Sequence, residues 1–303
     1  MENISNNRHG LRNTGVLCYM NASISCMLNN PYVITFVLEN YNIMQNEEES
    51  MCRRLSSMIR MNNGEQHMRR SVITVFNPRG YDDLRNELAN AFNRYMINRR
   101  AGRNIQNNFN IREQQDAAEM LLPLIEEISN ISNRREIMRE PQIFRIQMRY
   151  TTVCHNAGCG TTRDESHEMI NLAIDRRHIH SLEEALELYF HADILTREEE
   201  NQLNCETCNI YTDATRRLQI TSFPSTLTMY LVRFGNDLLK NSKHITIPLN
   251  LDLTNFKLGR TEDEHYNYKL QSVVIHIGTS INAGHYKSKP LNIYFKVEIK
   301  SNI

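Results

Sequence analysis

An α+β protein is expected from three features of this 303-residue chain. Apolar residues recur at helical spacing through roughly the first 130 positions. The pattern then switches to strict alternation, as in half-buried strands. Between the strand-like stretches stand two cysteine pairs, a sign of metal-closed hairpins. Helices first and strands afterwards is the order of an α+β chain rather than of alternating βα units.

The first helix is expected just after the glycine-punctuated turn Gly10–Gly15. Met20, Ile24, Met27 and Leu28 make its apolar stripe, and Asn29-Asn30-Pro31 ends it, because the residue before a proline is driven out of the helical region. Ser71 to Arg103 carries mixed apolar and charged residues, with Pro78-Arg79-Gly80 as a break, and the polar Asn104–Asn110 reads as a loop. Gln114 to Ile128 is strongly helical, with Ala117, Met120, Leu121, Leu124 and Ile128 on one face.

Alternation begins at Phe144, Ile146, Met148 and Tyr150, separated by Arg145, Gln147 and Arg149. A short helix is expected after Ser181, which forms a capping box with Glu184; Leu182, Ala185, Leu186 and Tyr189 are its apolar face. Further strands are expected at Leu218–Ser222, Leu227–Phe234, Ile245–Leu249 and Lys269–His276. There are no internal repeats.

Composition excludes several classes. Lysine plus arginine equals aspartate plus glutamate at 35 each, which disfavours a nucleic-acid scaffold with its basic face. The polar start Met1–Asn7 lacks the apolar core of a signal peptide, and no apolar run is long enough to span a bilayer. Seven cysteines, an odd number, fit a reducing compartment, so a cytoplasmic or nuclear protein without membrane association is expected.

Cys154 and Cys159 precede Cys205-Glu206-Thr207-Cys208 by some forty-five residues. Four thiolates on two tight turns suit one tetrahedral zinc with no open position, hence structural rather than catalytic. His155 is an alternative ligand, less natural because it adjoins Cys154.

Cys18 falls at the start of the first helix, where the positive end of the dipole favours a thiolate. Thiol proteolysis also needs an imidazole and donors for a developing oxyanion. His285 in Gly284-His285-Tyr286 is the candidate base, with His276 as its competitor, and Asn13 is placed to offer a side-chain amide.

At this point the residues resemble a family. Gly10-Leu11 through Asn13, Gly15 and Cys18-Tyr19-Met20-Asn21 resembles the cysteine box of ubiquitin-specific proteases. Gln114-Gln115-Asp116-Ala117-Ala118-Glu119-Met120-Leu121 looks like their glutamine-aspartate helix. Leu231–Phe234, Ile247-Pro248-Leu249, and Tyr268 through Tyr286 are similar to their later motifs, in the family's order.

The resemblance implies a papain-like hand on a single catalytic domain over residues 1–303. A helical thumb would cover about 1–135, zinc-ribbon-like fingers 140–222 and a β-rich palm 223–303. It implies a deubiquitinating thiol protease that cleaves after the C-terminal glycine of ubiquitin; the alternative is a ubiquitin-binding pseudoenzyme on the same fold. Cys18 would be the nucleophile, His285 the base and Asn13 the oxyanion donor. Family spacing puts the third triad member at Asn302, with Asn292 and Glu298 as weaker candidates. Asp116 and Glu119, read as i and i+3 on one helical face, would meet arginines of the ubiquitin tail, with Gln115, Gly284 and Tyr286 beside them. The implied cofactor is structural zinc alone, and the implied state a monomer whose partner is ubiquitin or a ubiquitinated protein. Val16, Leu17 and Ala22 depart from the family pattern, the first two replacing polar residues just before the nucleophile.

Overall fold

Helix α1 (Cys18–Leu28) organises the N-terminal part of the protein. Its apolar stripe is wider than periodicity suggests: Cys18, Tyr19, Met20, Ala22, Ser23, Ile24 and Met27 are all buried. A helix covered on most of its surface needs neighbours on several sides. Helices α2 (Pro31–Glu39) and α6 (Ala117–Ser132) and strands β11 (Ser272–Ser280) and β12 (Ala283–Pro290) supply them. The computed structural model describes residues 17–46, 50–68, 78–101, 113, 115–134, 142–174, 179–234, 240–280 and 283–291. Asn13, Val16, Asn292, Glu298, Asn302 and the expected Asn104–Asn110 loop lie outside the described residues.

The chain forms two compact units: residues 1–138 with 271–293, and 139–270 with 294–303. In the first unit Asn30 caps α2, its side chain accepting from the N–H groups of Tyr32 and Val33 at 3.0 and 3.2 Å, with Pro31 at the first helical position. The short α3 (Tyr41–Gln45) is tied to α4 (Met51–Met68) by the Gln45 amide, which donates to the Arg53 carbonyl and to Ser56 and Ser57. The start of α4 has a tertiary cap. Cys52 N–H is shared between Ser50 Oγ and Glu127 Oε2 of α6 at 2.9 and 3.0 Å, and Ser50 donates to the same carboxylate at 2.8 Å.

Helix α5 (Pro78–Ala101) begins where Pro78-Arg79-Gly80 was expected to break the chain. The proline has no N–H to lose at a helix start, so the breaker acts as an initiator. Leu88, Ala89, Phe92 and Met96 bury one face of α5, and Arg85 is buried within 3.4 Å of Asp82. In helix α6 the expected Ala117, Met120, Leu124 and Ile128 are buried together with Ile125 and Ile131, while the expected Leu121 is only half-buried. Its start is later than expected, because Asp116 is the N-cap and not a helical residue.

The second unit is built on a four-stranded sheet in the order β2-β1-β7-β4, all antiparallel. Its strands are β1 (Ile146–Cys154), β2 (Gly160–His167), β4 (Asp193–Leu195) and β7 (Ala214–Ser222). Strand β3 (Ile170–Ala173) pairs in parallel with β8 (Met229–Val232), and β5 (Leu203–Cys205) forms a hairpin with β6 (Ile210–Thr212). Helix α7 (Leu182–Tyr189) has the expected capping box, with Glu184 N–H on Ser181 Oγ at 3.1 Å. The backbone N–H groups of His180 and then Ser181 hold the Glu184 carboxyl below its ordinary range. Leu182 and Leu186 of α7 join Ile146, Met148, Leu172, Leu218 and Ile220 in this unit's core.

Two expected strands differ. Ile245–Leu249 is an irregular segment with one parallel bridge, Thr246 to Ser181, since Pro248 cannot donate to a ladder. Lys269–His276 divides at the unit boundary. Strand β10 (Asn267–Lys269) pairs with β9 (Asn250–Asp252), whereas β11 starts at Ser272 and pairs with β12.

Removing the tertiary cap tests its weight. Glu127→Ala is expected to destabilise the first unit by about 1–3 kcal/mol, read by urea denaturation against the parent protein.

Candidate active site

Cys18 occupies the first helical position of α1, behind an N-cap, Leu17, that has no side chain to cap with. The thiol is buried at 6 % exposure. Ser23, one turn on, holds this end of the helix: its hydroxyl reaches the carbonyls of Tyr19 at 3.0 Å and of Ala117 in α6 at 3.1 Å. The Tyr19 side chain is fully buried, and burial, then Cys18 and Glu119, push its hydroxyl upward.

The far end of the chain returns to this thiol. The backbone N–H of Tyr286 donates to Cys18 Sγ at 3.4 Å, across 268 residues of sequence. The peptide carrying that N–H joins it to His285, so the histidine's backbone borders the sulfur. In the hairpin His285 stands opposite Ile277, and Tyr286 opposite His276. Successive strand residues point to opposite faces, so the two side chains diverge. His285 and Ile277 are on the exposed face; Tyr286 and His276 are half-buried, their rings 4.7 Å apart. His276, the sequence's competitor for the base, is thus a packing partner of Tyr286.

Gly284 is required by this packing. At φ +158°, a Cβ would lie 2.3 Å from His276 Nε2 and 2.6 Å from the Ile277 carbonyl oxygen. The requirement is invisible in sequence, since the atoms that impose it lie on the partner strand.

The residues before α6 divide. Gln115 is half-buried. Asp116 Oδ1 accepts the Ala118 N–H at 2.9 Å as the helix N-cap, and burial, then the Asp116 charge, push the Tyr286 hydroxyl upward. Glu119 is exposed in the first turn. The expectation of two carboxylates at i and i+3 within one helix is corrected on this point: Asp116 has extended backbone angles, φ −70° and ψ 135°, and stands outside the helix.

The second unit brings together Cys154, Cys159, Cys205 and Cys208. Their sulfurs all lie within 4.8 Å of one another and none is in a disulfide. Three separations are 3.3, 3.4 and 3.7 Å. Tetrahedral zinc with Zn–S near 2.3 Å implies S···S of about 3.8 Å, so the cluster fits that ion. Both turns share one device. Gly158 (φ +65°) donates to the Cys154 carbonyl at 3.0 Å, and Asn209 (φ +55°) to the Cys205 carbonyl at 2.7 Å. Cys208 precedes its left-handed residue and Cys159 follows its own, which is why the sequence spacings differ. The N–H groups of Ala157 and Asn156 draw the Cys154 thiol down to about 6, while its crowded neighbours push Cys159 up to about 12. Four thiolates this close need a cation. His155 is not part of the cluster; its Nε2 lies 2.8 Å from Thr215 Oγ1.

The sequence pattern described as ubiquitin carboxyl-terminal hydrolase matches residues 9–298. The chain belongs to the ubiquitin carboxyl-terminal hydrolase family. It is 25 % identical to ubiquitin carboxyl-terminal hydrolase 25 of Arabidopsis thaliana over 295 residues, 91 % of this chain and 41 % of the relative. It is 26 % identical to the probable ubiquitin carboxyl-terminal hydrolase 16 of Schizosaccharomyces pombe, over 95 % of this chain and 60 % of the relative. The chain therefore spans about half the length of these relatives. The fold is similar to that of a chain in the structure of the SAGA Ubp8/Sgf11/Sus1/Sgf73 DUB module bound to ubiquitin aldehyde, with TM-score 0.69 and 22 % identity over 93 % of this chain and 61 % of that one.

The chain has the expected α+β fold of this family, and its four clustered cysteines form a structural zinc centre at the tips of two hairpins. When bound, the zinc supplies cross-linking and no chemistry. Among the described residues no helix is long and apolar enough to cross a membrane.

Two outcomes are expected. Metal analysis of purified protein gives about one zinc per chain, and Cys208→Ser abolishes it with a fall of several degrees in the thermal midpoint. Gly284→Ala lowers stability by about 1–3 kcal/mol in thermal denaturation, because its Cβ meets backbone as well as a ring.

Proposed function

We propose that this chain is a cysteine-type deubiquitinase, hydrolysing the peptide or isopeptide bond after the C-terminal glycine of ubiquitin. It would act as a monomeric catalytic domain on ubiquitinated proteins of the cytoplasm or nucleus. The observation that carries the reading is the 3.4 Å contact from Tyr286 N–H to Cys18 Sγ, which brings the histidine strand to the thiol. Family membership over residues 9–298 supports it independently.

In this reading the Cys18 thiolate attacks the carbonyl carbon of the ubiquitin glycine, and its electron pair becomes the new S–C bond. The carbonyl electrons move to oxygen, where Asn13 donates a hydrogen bond. Collapse expels the lysine amine, which takes a proton from the His285 imidazolium. Water then attacks the thioester, giving its proton to His285 and releasing the Cys18 thiolate. Asn302 completes the triad by orienting His285. The exposed Glu119 receives an arginine of the ubiquitin tail as a carboxylate–guanidinium pair. Gln115, Asp116, Gly284 and Tyr286 border the path of the tail.

A ubiquitin probe with a C-terminal electrophile tests this directly. The expected result is one adduct on Cys18, seen by mass spectrometry, lost in Cys18→Ala and slowed at least about 100-fold in His285→Ala. Saturable ubiquitin binding by the folded, reduced protein without any adduct would overturn it in favour of a binding pseudoenzyme.

A further inference from the structure

Strand β12 is weakest one residue before the candidate base. Gly284 lies inside the strand, and a strand glycine has no side chain to pack and loses much freedom on ordering. The hairpin that β12 forms with β11 has only two strands, and such a hairpin is marginal by itself. Something outside the ladder must therefore hold the backbone at residues 284–286.

The His276 ring is placed to do so. Its Nε2 and Cε1 lie 2.3 and 3.0 Å from the point that a Cβ on residue 284 would occupy, so the ring fills the room the glycine leaves. The same ring packs against that of Tyr286, with centroids 4.7 Å apart and planes at 41°. Register explains the double contact. His276 stands opposite Tyr286, and Gly284, two residues earlier on the same face, is its diagonal neighbour. A ring laid from the partner strand over a glycine is a known means of stabilising that glycine. One side chain of β11 thus touches the residues on both sides of His285.

The segment it holds is the one that meets the nucleophile. The Tyr286 N–H donates to Cys18 Sγ at 3.4 Å, and the same peptide begins at His285. His276 is half-buried, whereas His285 is on the opposite, exposed face of the hairpin. The effect of His276 on His285 therefore passes through the β12 backbone.

The geometry points to His276 as a positioning residue for the candidate base: its ring covers Gly284 and packs on Tyr286, fixing the 284–286 backbone that carries His285 and presents the Tyr286 N–H to the Cys18 sulfur. The inference rests on Cys18 and His285 being nucleophile and base. The imidazole of His276 acts as a flat ring and not as a proton carrier.

Steady-state kinetics on ubiquitin bearing a fluorogenic C-terminal amide tests the assignment. His276→Ala is expected to lower kcat about 10-fold or more at little changed KM, since small misplacements of reacting groups are costly. His276→Phe, which keeps a flat ring against the glycine and the tyrosine, should recover most of kcat. His276→Asn, which keeps polarity without a ring, should not. The double variant of His276→Ala and Tyr286→Leu should be no slower than the slower single variant, as expected for one coupled unit. Unchanged kcat in His276→Ala would overturn the proposal, as would a rise in KM alone, because the ring then acts on substrate. Recovery by His276→Asn but not by His276→Phe would also overturn it, in favour of a polar or proton-carrying role. Should His276→Ala not fold, judged by far-UV circular dichroism and zinc content, His276→Leu is read by the same criteria. If the folded parent protein does not hydrolyse the substrate, the proposed function fails by itself. The positioning role is then read from iodoacetamide alkylation of Cys18, followed on its own peptide by mass spectrometry. A changed rate in His276→Ala with a parent-like rate in His276→Phe supports it, and any other pattern refutes it.

Discussion

The contact between Tyr286 N–H and Cys18 Sγ joins segments 268 residues apart, and the candidate site exists only while that closure holds. Closing so long a loop costs about 5 kcal/mol in chain entropy before any constant term. One N–H···S contact, at about 1 kcal/mol, cannot offset this. Burial can: Met20, Ile24 and Met27 of α1 contribute about 1.5–3 kcal/mol each. The near-complete burial of α1 is therefore the energetic condition for the site. It also explains why the helix departs from an amphipathic pattern, since it has α2 and α6 on some sides and the β11–β12 hairpin on another.

The second unit meets a different difficulty with a different device. Strand β2, Gly-Thr-Thr-Arg-Asp-Glu-Ser-His, is half-exposed or exposed throughout, and β4, β5 and β6 are three residues each. Such strands bury too little apolar surface to fix their own register. The four cysteines hold the β1–β2 and β5–β6 turns together at their tips, replacing a core with metal–sulfur bonds. Away from the tips, the stack of Phe190 on Phe256 and the α7 residues Leu182 and Leu186 form an ordinary apolar core.

Legibility in the sequence follows the same division. Where local signals and burial agree, the reading was sound: the α7 capping box, the α6 stripe, the alternation of β1 and the four clustered cysteines. The exposed strand β2 carries no apolar alternation, so period-two reasoning had nothing to detect. Lys269–His276 looks continuous because both halves are strand-like; the change of pairing partner between Lys269 and Ser272 is a tertiary fact. Asp116 was read as helical because it adjoins the stripe. Its side chain caps the helix instead, accepting the Ala118 N–H. Gly284 was visible, but the reason for it, the His276 ring, lies eight residues away on the partner strand.

Leu17, just before Cys18, takes on a different meaning in this setting. A polar residue there could brace the helix start through its own side chain, and leucine cannot. The bracing comes from farther away: Ser23 bonds to the Ala117 carbonyl, Asp116 caps α6, and the Tyr286 N–H reaches the sulfur from β12. Local hydrogen bonds near a thiol depend on a few neighbouring residues, whereas this arrangement depends on α6 and β12 being correctly seated. Both α6 and β12 pack against α1, so the surroundings of the thiol depend on the seating of each. The setting of the Cys18 thiol in this chain is thus a property of packing across the first unit, and the β12 backbone at Tyr286 is the point where that packing reaches the sulfur.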